Sequence, residues 1–97
     1  MKGLPVMIDH KELHFHAMKS GVPDHLIGGL LRYLVHHIHP GDCLTAILEN
    51  DLMEAFGRAD IETAIGMRHI LIFLYNYVPK HCYGNKEKVA NWLKGDS

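Results

Sequence analysis

Three groups of side chains in this 97-residue sequence are of types that do chemistry. The first is histidine, nine in all. His10 and His14 are four apart, and on a helix that spacing puts both imidazoles on one face, as a zinc, nickel or copper chelate needs. His16 follows, and His36, His37 and His39 make a second cluster. No H-E-x-x-H and no cysteine pair at ligand spacing accompanies them, so solvated histidines are the simpler reading and no metal cofactor is expected. The second group centres on Asp51, set in an apolar row with Leu48, Leu52 and Ala55, where a charge is costly unless paired or hydrogen-bonded. Arg68 sits similarly in the row Ile61, Ile65, Leu71 and Ile72. The two are expected to meet if their helices pack antiparallel, either as a structural ion pair or as a polar patch lining a pocket.

The third group is Arg32, Tyr33, Asn50, Arg58, Tyr75 and Asn76, with His81 and Tyr83 nearby. Guanidinium groups offer a planar fork of donors to phosphate or carboxylate, aromatic rings stack on bases, and amides read base edges. With Asp51 these six are the candidate ligand-binding residues. No catalytic residue is expected: the sequence has no phosphate-binding glycine loop, no G-x-S-x-G and no dinucleotide fingerprint. His81 and Cys82 are adjacent, but neighbours on a loop need not face each other.

Helices must position these groups. Asp9 and Glu12 form a start signal for a short helix to about Lys19, closed by Ser20-Gly21. Pro23 opens a second segment to about His39, in which Leu26, Ile27, Leu30, Leu31, Leu34, Val35 and Ile38 recur at three- and four-residue spacing. Gly28-Gly29 within it suggests a close approach by another backbone or a ligand. After the Pro40-Gly41 turn, a helix over 42–56 carries Leu44, Ile47, Leu48, Leu52 and Ala55. Asp60 caps the next, which runs to about Tyr77, is apolar nearly all round over Ile70–Leu74 and stops at Pro79. Asn85 caps a last short helix with Val89, Trp92 and Leu93. The expected architecture is all-α: one domain over 1–97, with residues 1–22 an N-terminal extension and 23–94 a core of three main antiparallel helices plus a short C-terminal one. Leu30, Leu34, Leu48, Leu52, Ile65 and Ile72 are its expected deep core.

Composition removes several classes. Hydrophobic residues at 47% with 22% charged describe a folded chain and not a disordered one. A net charge of −1 with mixed signs lacks the basic stripe that coats nucleic acid polymers, although one small anion needs only one or two local cations. Two cysteines make no disulfide framework, and no apolar run reaches membrane-spanning length. A cytoplasmic protein, without membrane or nucleic-acid polymer partners, is the expectation. The apolar stretch Ile70–Val78 exceeds what a few short helices of one subunit can cover, which predicts a homo-oligomer.

The motifs P-D-H-x-x-G-G-L-x-R-Y, P-G-x-x-L-T-A-x-L-x-N-D-L-x-E-A-F-G-R-A-D and F-L-Y-N-x-x-P-x-x-C-x-G-x-x-E-K-x-x-x-W span Pro23–Trp92. In that combination the chain resembles a group of small proteins encoded by tailed phages and prophages. It departs from them at Asp42-Cys43, where an aromatic or Ser is usual, and at Tyr83, where Trp is usual; residues 1–22 lie outside the match. The resemblance implies a phage accessory role in the cytoplasm of an infected bacterium and supplies no activity. Two functions are then open. One is non-enzymatic capture, by an oligomer, of a nucleotide-like host signal, with Arg32 or Arg58 on phosphate, Tyr33 or Tyr75 on the base and Asn50 or Asn76 on its edge. The other is a protein–protein interaction module that blocks or regulates a host or phage protein through the same residues.

Overall fold

The computed structural model describes residues 9–95, and all regular structure among them is helical, as expected. The helices are α1 (His10–Ser20), α2 (Asp24–His36), α3 (Asp42–Leu48), α4 (Leu52–Arg58), α5 (Ile61–Ile65), α6 (Met67–Tyr77) and α7 (Lys86–Leu93), with a 3-10 turn at Lys80–Cys82 before α7. Residues 1–8 of the expected N-terminal extension lie outside the described residues.

Several ends follow their local chemistry. The Asp9 carboxylate accepts from the Lys11 amide, that of Asp60 from Thr63 and the Asn85 side chain from Lys88, each satisfying an amide that its helix leaves free. Gly21 closes α1 in the left-handed conformation.

Two expected helices are broken. The segment 42–56 divides because Asn50 takes a positive φ of 64°, a conformation that Asn tolerates better than most residues. Asp51 therefore stands outside the helix and caps α4, its Oδ1 accepting from the Glu54 amide at 3.3 Å. The segment 60–77 divides at Gly66, onto which Pro23 packs so closely that a Cβ there would lie 2.6 Å from Pro23 Cγ. Gly29 also has a packing reason, since it is buried against the Leu44 side chain and the Pro40 carbonyl.

The core is built from α1, α2, α3, α6 and α7. His16 stacks on Tyr77 at 4.0 Å while Gly21 lies against His69, so α1 runs antiparallel to α6. Leu30, Leu34 and Leu48 are fully buried, joined by Tyr33, Ile70, Phe73 and Leu74. Leu52, Ile65 and Ile72 are not the deep core expected: Leu52 and Ile65 are 39% and 76% exposed, and Ile72 is half-buried. The break at Asn50 turns the stripe that follows it, and the break at Gly66 separates Ile65 at the end of α5 from the stripe of α6. Of the Ile70–Val78 stretch, Ile70, Phe73, Leu74 and Val78 are buried within the one chain, while Leu71, Tyr75 and Tyr77 are exposed. No helix among the described residues is long and apolar enough to cross a membrane.

Candidate functional site

The seven candidate ligand residues separate into four places. Tyr33 lies in the core, not in a site: it is fully buried, and its hydroxyl donates to the Cys82 carbonyl at 2.6 Å. The Trp92 indole donates to the Tyr33 carbonyl at 2.8 Å, and the Trp92 carbonyl in turn accepts from His37 Nδ1 at 2.6 Å. Because a carbonyl only accepts, the His37 proton sits on Nδ1. These bonds fasten α7 and the 3-10 turn to the end of α2, and the Tyr33 ring has no face left for a base. Burial, with the Cys82 thiol and Glu49 nearby, pushes the Tyr33 phenol far above its usual range, and burial pushes Cys82 up to about 12. Cys82 is thus an inert core thiol.

Arg58 is engaged along α4, donating to Glu54 at 3.1 Å and lying 3.5 Å from Asp42. With Asp51, Thr45, Glu49 and Lys86 it borders a shallow polar hollow of about 310 Å³ whose carboxylates outnumber its cations, a poor receptor for phosphate. Arg32 is exposed on α2 and lines neither hollow. Asp51 and Arg68 do not meet; Arg68 is exposed and makes no ion pair among the described residues.

The remaining three converge. Asn50, Tyr75 and Asn76 line an open groove of about 740 Å³ between the α3–α4 corner and α6, with the loop at Tyr83-Gly84 at one end. Its walls are apolar, through Ile47, Phe56, Ile65, Leu71 and Ile72, and Arg68 is its one charged lining residue. Each wall has a local cause. The left-handed turn at Asn50 folds α4 back along α3, so that Arg58 reaches Asp42 and the Cys43 thiol meets the Ala55 carbonyl, and the Gly84 amide ties the loop back to the Leu48 carbonyl at 2.7 Å. Tyr75 is 71% exposed, and the Lys80 ammonium stands 4.6 Å from its ring centroid, bringing a second cation beside the groove. A mainly apolar hollow of several hundred Å³ with a few converging polar groups is the usual form of a small-molecule site. The sequence reading named Asn50, Tyr75, Asn76 and Tyr83 of its lining, did not single out Phe56, and set Arg68 either in an ion pair with Asp51 or in a polar patch lining a pocket. Spacing did carry one signal: Arg68, Leu71, Ile72, Tyr75 and Asn76 form one stripe of α6.

Among the described residues no three His, Cys, Asp or Glu side chains are placed to hold an ion. His10 and His14 stack with ring centroids 6.4 Å apart, and His25 Nε2 lies 3.2 Å from both Asp60 Oδ2 and Thr63 Oγ1, tying α2 to the start of α5. Asp60 is held below the usual carboxylate range by hydrogen bonds from the Thr63 hydroxyl and amide, with His25 adding to them. Cys43, half-buried near Asp60, is pushed up by desolvation first and by that carboxylate second. Comparison with protein-family models, curated proteins and solved structures finds no match to this chain.

Proposed function

We propose that this chain is a non-enzymatic binding protein that captures one small aromatic anion, a nucleotide-like signal of an infected bacterial host, in the groove along α6. The supporting observation is the convergence of Asn50, Tyr75 and Asn76 in that groove together with Arg68. Tyr75 offers an exposed ring for a base, the two amides offer donors and acceptors for its edge, and Arg68 in the groove wall and Lys80 over one face of the ring are the cations available to phosphate. The resemblance to phage-encoded proteins supplies the setting. Capture is stoichiometric and needs no reacting group.

A thermal-shift panel of nucleotides and cyclic nucleotides tests this. A ligand at 100 times its dissociation constant stabilises by about 2.7 kcal/mol, or roughly 10–20 °C in a domain of this size. Tyr75→Ala and Arg68→Ala should remove the shift without unfolding the protein, since both side chains are exposed. A flat response across the panel at millimolar ligand would reject the nucleotide reading. The second reading, a protein-binding module, is favoured by the exposure of Phe56, Ile65 and Leu71 along the same groove. It predicts a host-protein complex that survives nucleotide and is lost in Leu71→Arg.

A further inference from the structure

We infer that the groove along α6 selects a nucleotide carrying a single negative charge, a nucleoside cyclic monophosphate, over phosphate monoesters, polyphosphates and nucleotides with two phosphates. This rests on the capture function proposed above and narrows it to one chemical class.

Charge sets the limit. Among the described residues Arg68 is the one charged side chain lining the groove. Lys80 stands 4.6 Å from the centroid of the Tyr75 ring without bordering the groove, so it lies over the face of the ring turned away from it. The α6 side between Arg68 and Tyr75 is Leu71 and Ile72, and Ile47 and Phe56 are apolar on the α3–α4 side. Asn50 and Asn76 can hydrogen-bond a base edge but bring no charge. The neighbouring hollow on the α3–α4 pair holds Asp42, Glu49, Asp51 and Glu54 against Arg58 and Lys86, a local field that disfavours a polyanion. One guanidinium meets one phosphodiester, which has a single negative charge, through a two-pronged set of donors. A phosphate monoester carries about −1.5 to −2 at neutral pH, and a polyphosphate carries more. Each further charge would lie against apolar side chains with no cation to pair it, where the loss of hydration is uncompensated.

Spacing agrees with this. Arg68 and Tyr75 are seven residues apart on the unbroken helix α6, two turns and about 10.5 Å of rise along one stripe. With a base on Tyr75, one sugar and the reach of the long Arg68 side chain bridge that span. The sugar then lies over Leu71 and Ile72, which offer no partner to a hydroxyl. Closing the phosphate onto the sugar ties up a hydroxyl that would otherwise be left unpaired there.

Titration calorimetry of the full chain at about pH 8, where a monoester is a dianion, tests the charge rule. The probes are, for each of the four bases, the nucleoside, its 2′,3′- and 3′,5′-cyclic monophosphates, its 5′-monophosphate and its triphosphate, with cyclic dinucleotides as the two-phosphate case. For the preferred base a cyclic monophosphate should bind roughly 10-fold or more tightly than the 5′-monophosphate, with the triphosphate and the cyclic dinucleotide also weaker. Arg68→Ala should reduce the cyclic ester to the affinity of the nucleoside. Leu71→Lys, at an exposed position one turn from Arg68, adds a second cation and should move the ratio roughly 10-fold towards the monoester, with an unchanged helical circular dichroism spectrum. A monoester, triphosphate or cyclic dinucleotide that binds as tightly as the cyclic monophosphate overturns the inference and leaves capture of a nucleotide standing. So does a preference that neither Arg68→Ala nor Leu71→Lys changes. Binding of no nucleotide at all overturns the capture function itself.

Discussion

Replacing Tyr33 by Phe removes one oxygen from the core and leaves the ring. In the folded chain that oxygen donates a 2.6 Å hydrogen bond to the Cys82 carbonyl, in surroundings where both residues are fully buried. The bond itself contributes about 0.5–1.5 kcal/mol net, and a carbonyl left buried without its partner costs about 1–3 kcal/mol. Tyr33→Phe should therefore lose about 1–3 kcal/mol, which at roughly 4–8 °C per kcal/mol in a domain of this size is a melting point lower by about 5–20 °C. Urea unfolding followed by the fluorescence of Trp92, the sole tryptophan, is the direct assay, because the Trp92 indole donates to the Tyr33 carbonyl and reports on the same cluster. Circular dichroism should give the same midpoint if unfolding is two-state. Ligand binding in the folded fraction should be unchanged. A loss below about 0.5 kcal/mol would refute the argument that this hydroxyl fastens the 3-10 turn to α2. Weakened ligand binding at full stability would return Tyr33 to the site.

Gly66→Ala should destabilise by about 1–3 kcal/mol through overpacking against Pro23, whereas Gly57→Ala, with nothing near its Cβ position, should gain about 0.5–1 kcal/mol; paired urea midpoints separate the two. Asp51→Ala should cost about 1 kcal/mol by uncapping α4, while Asp51→Asn should be nearly neutral because Asn caps equally well; a large cost for Asn, seen in thermal melts, would restore a charge-paired Asp51. Alkaline pH should unfold the protein progressively. The folded Cys82 pKa is raised above its ordinary value of 9.0, so its contribution is complete below pH 9.0 and lost as pH climbs toward about 12, with Tyr33 adding to the fall above pH 10.0. Cys82→Ala should shift the onset of the decline upward in urea midpoints taken from about pH 8 to pH 11.

Much of the fold is legible in the sequence because capping is local chemistry. Asp9, Asp60, Asn85 and Gly21 do in the structure what their residue types suggest, and those helix ends follow. The breaks at Asn50 and Gly66 are harder to see because apolar spacing runs straight through both. Leu44, Ile47, Leu48, Leu52 and Ala55 keep a helical period across Asn50-Asp51, although Asn-Asp is also turn chemistry. Gly66 breaks its helix where Pro23 packs onto it, and a residue 43 positions away leaves no mark on local periodicity. The exposure of Leu52 follows the first of these breaks, and Ile65 is left exposed at the end of α5, just before the second.

The same distinction separates the candidate residues that share the groove from those that do not. Tyr33 and Arg58 are of types that suit a nucleotide site, yet each is already satisfied within the chain, one by a carbonyl at 2.6 Å and the other by a carboxylate at 3.1 Å. Residue type states what a side chain can bind, and burial or a neighbouring charge states whether that capacity is already used. Asn50, Tyr75 and Asn76 stayed together because a helix break and a helix end leave polar groups at corners, where packing cannot cover them. Arg68 shows the converse. Its place in an apolar row invited a buried partner, but the row faces an open groove, so its charge remains exposed. The apolar walls of that groove stay uncovered for the same reason, and the exposed Arg68 cation on the stripe is what limits the chemistry of any ligand or partner that covers them.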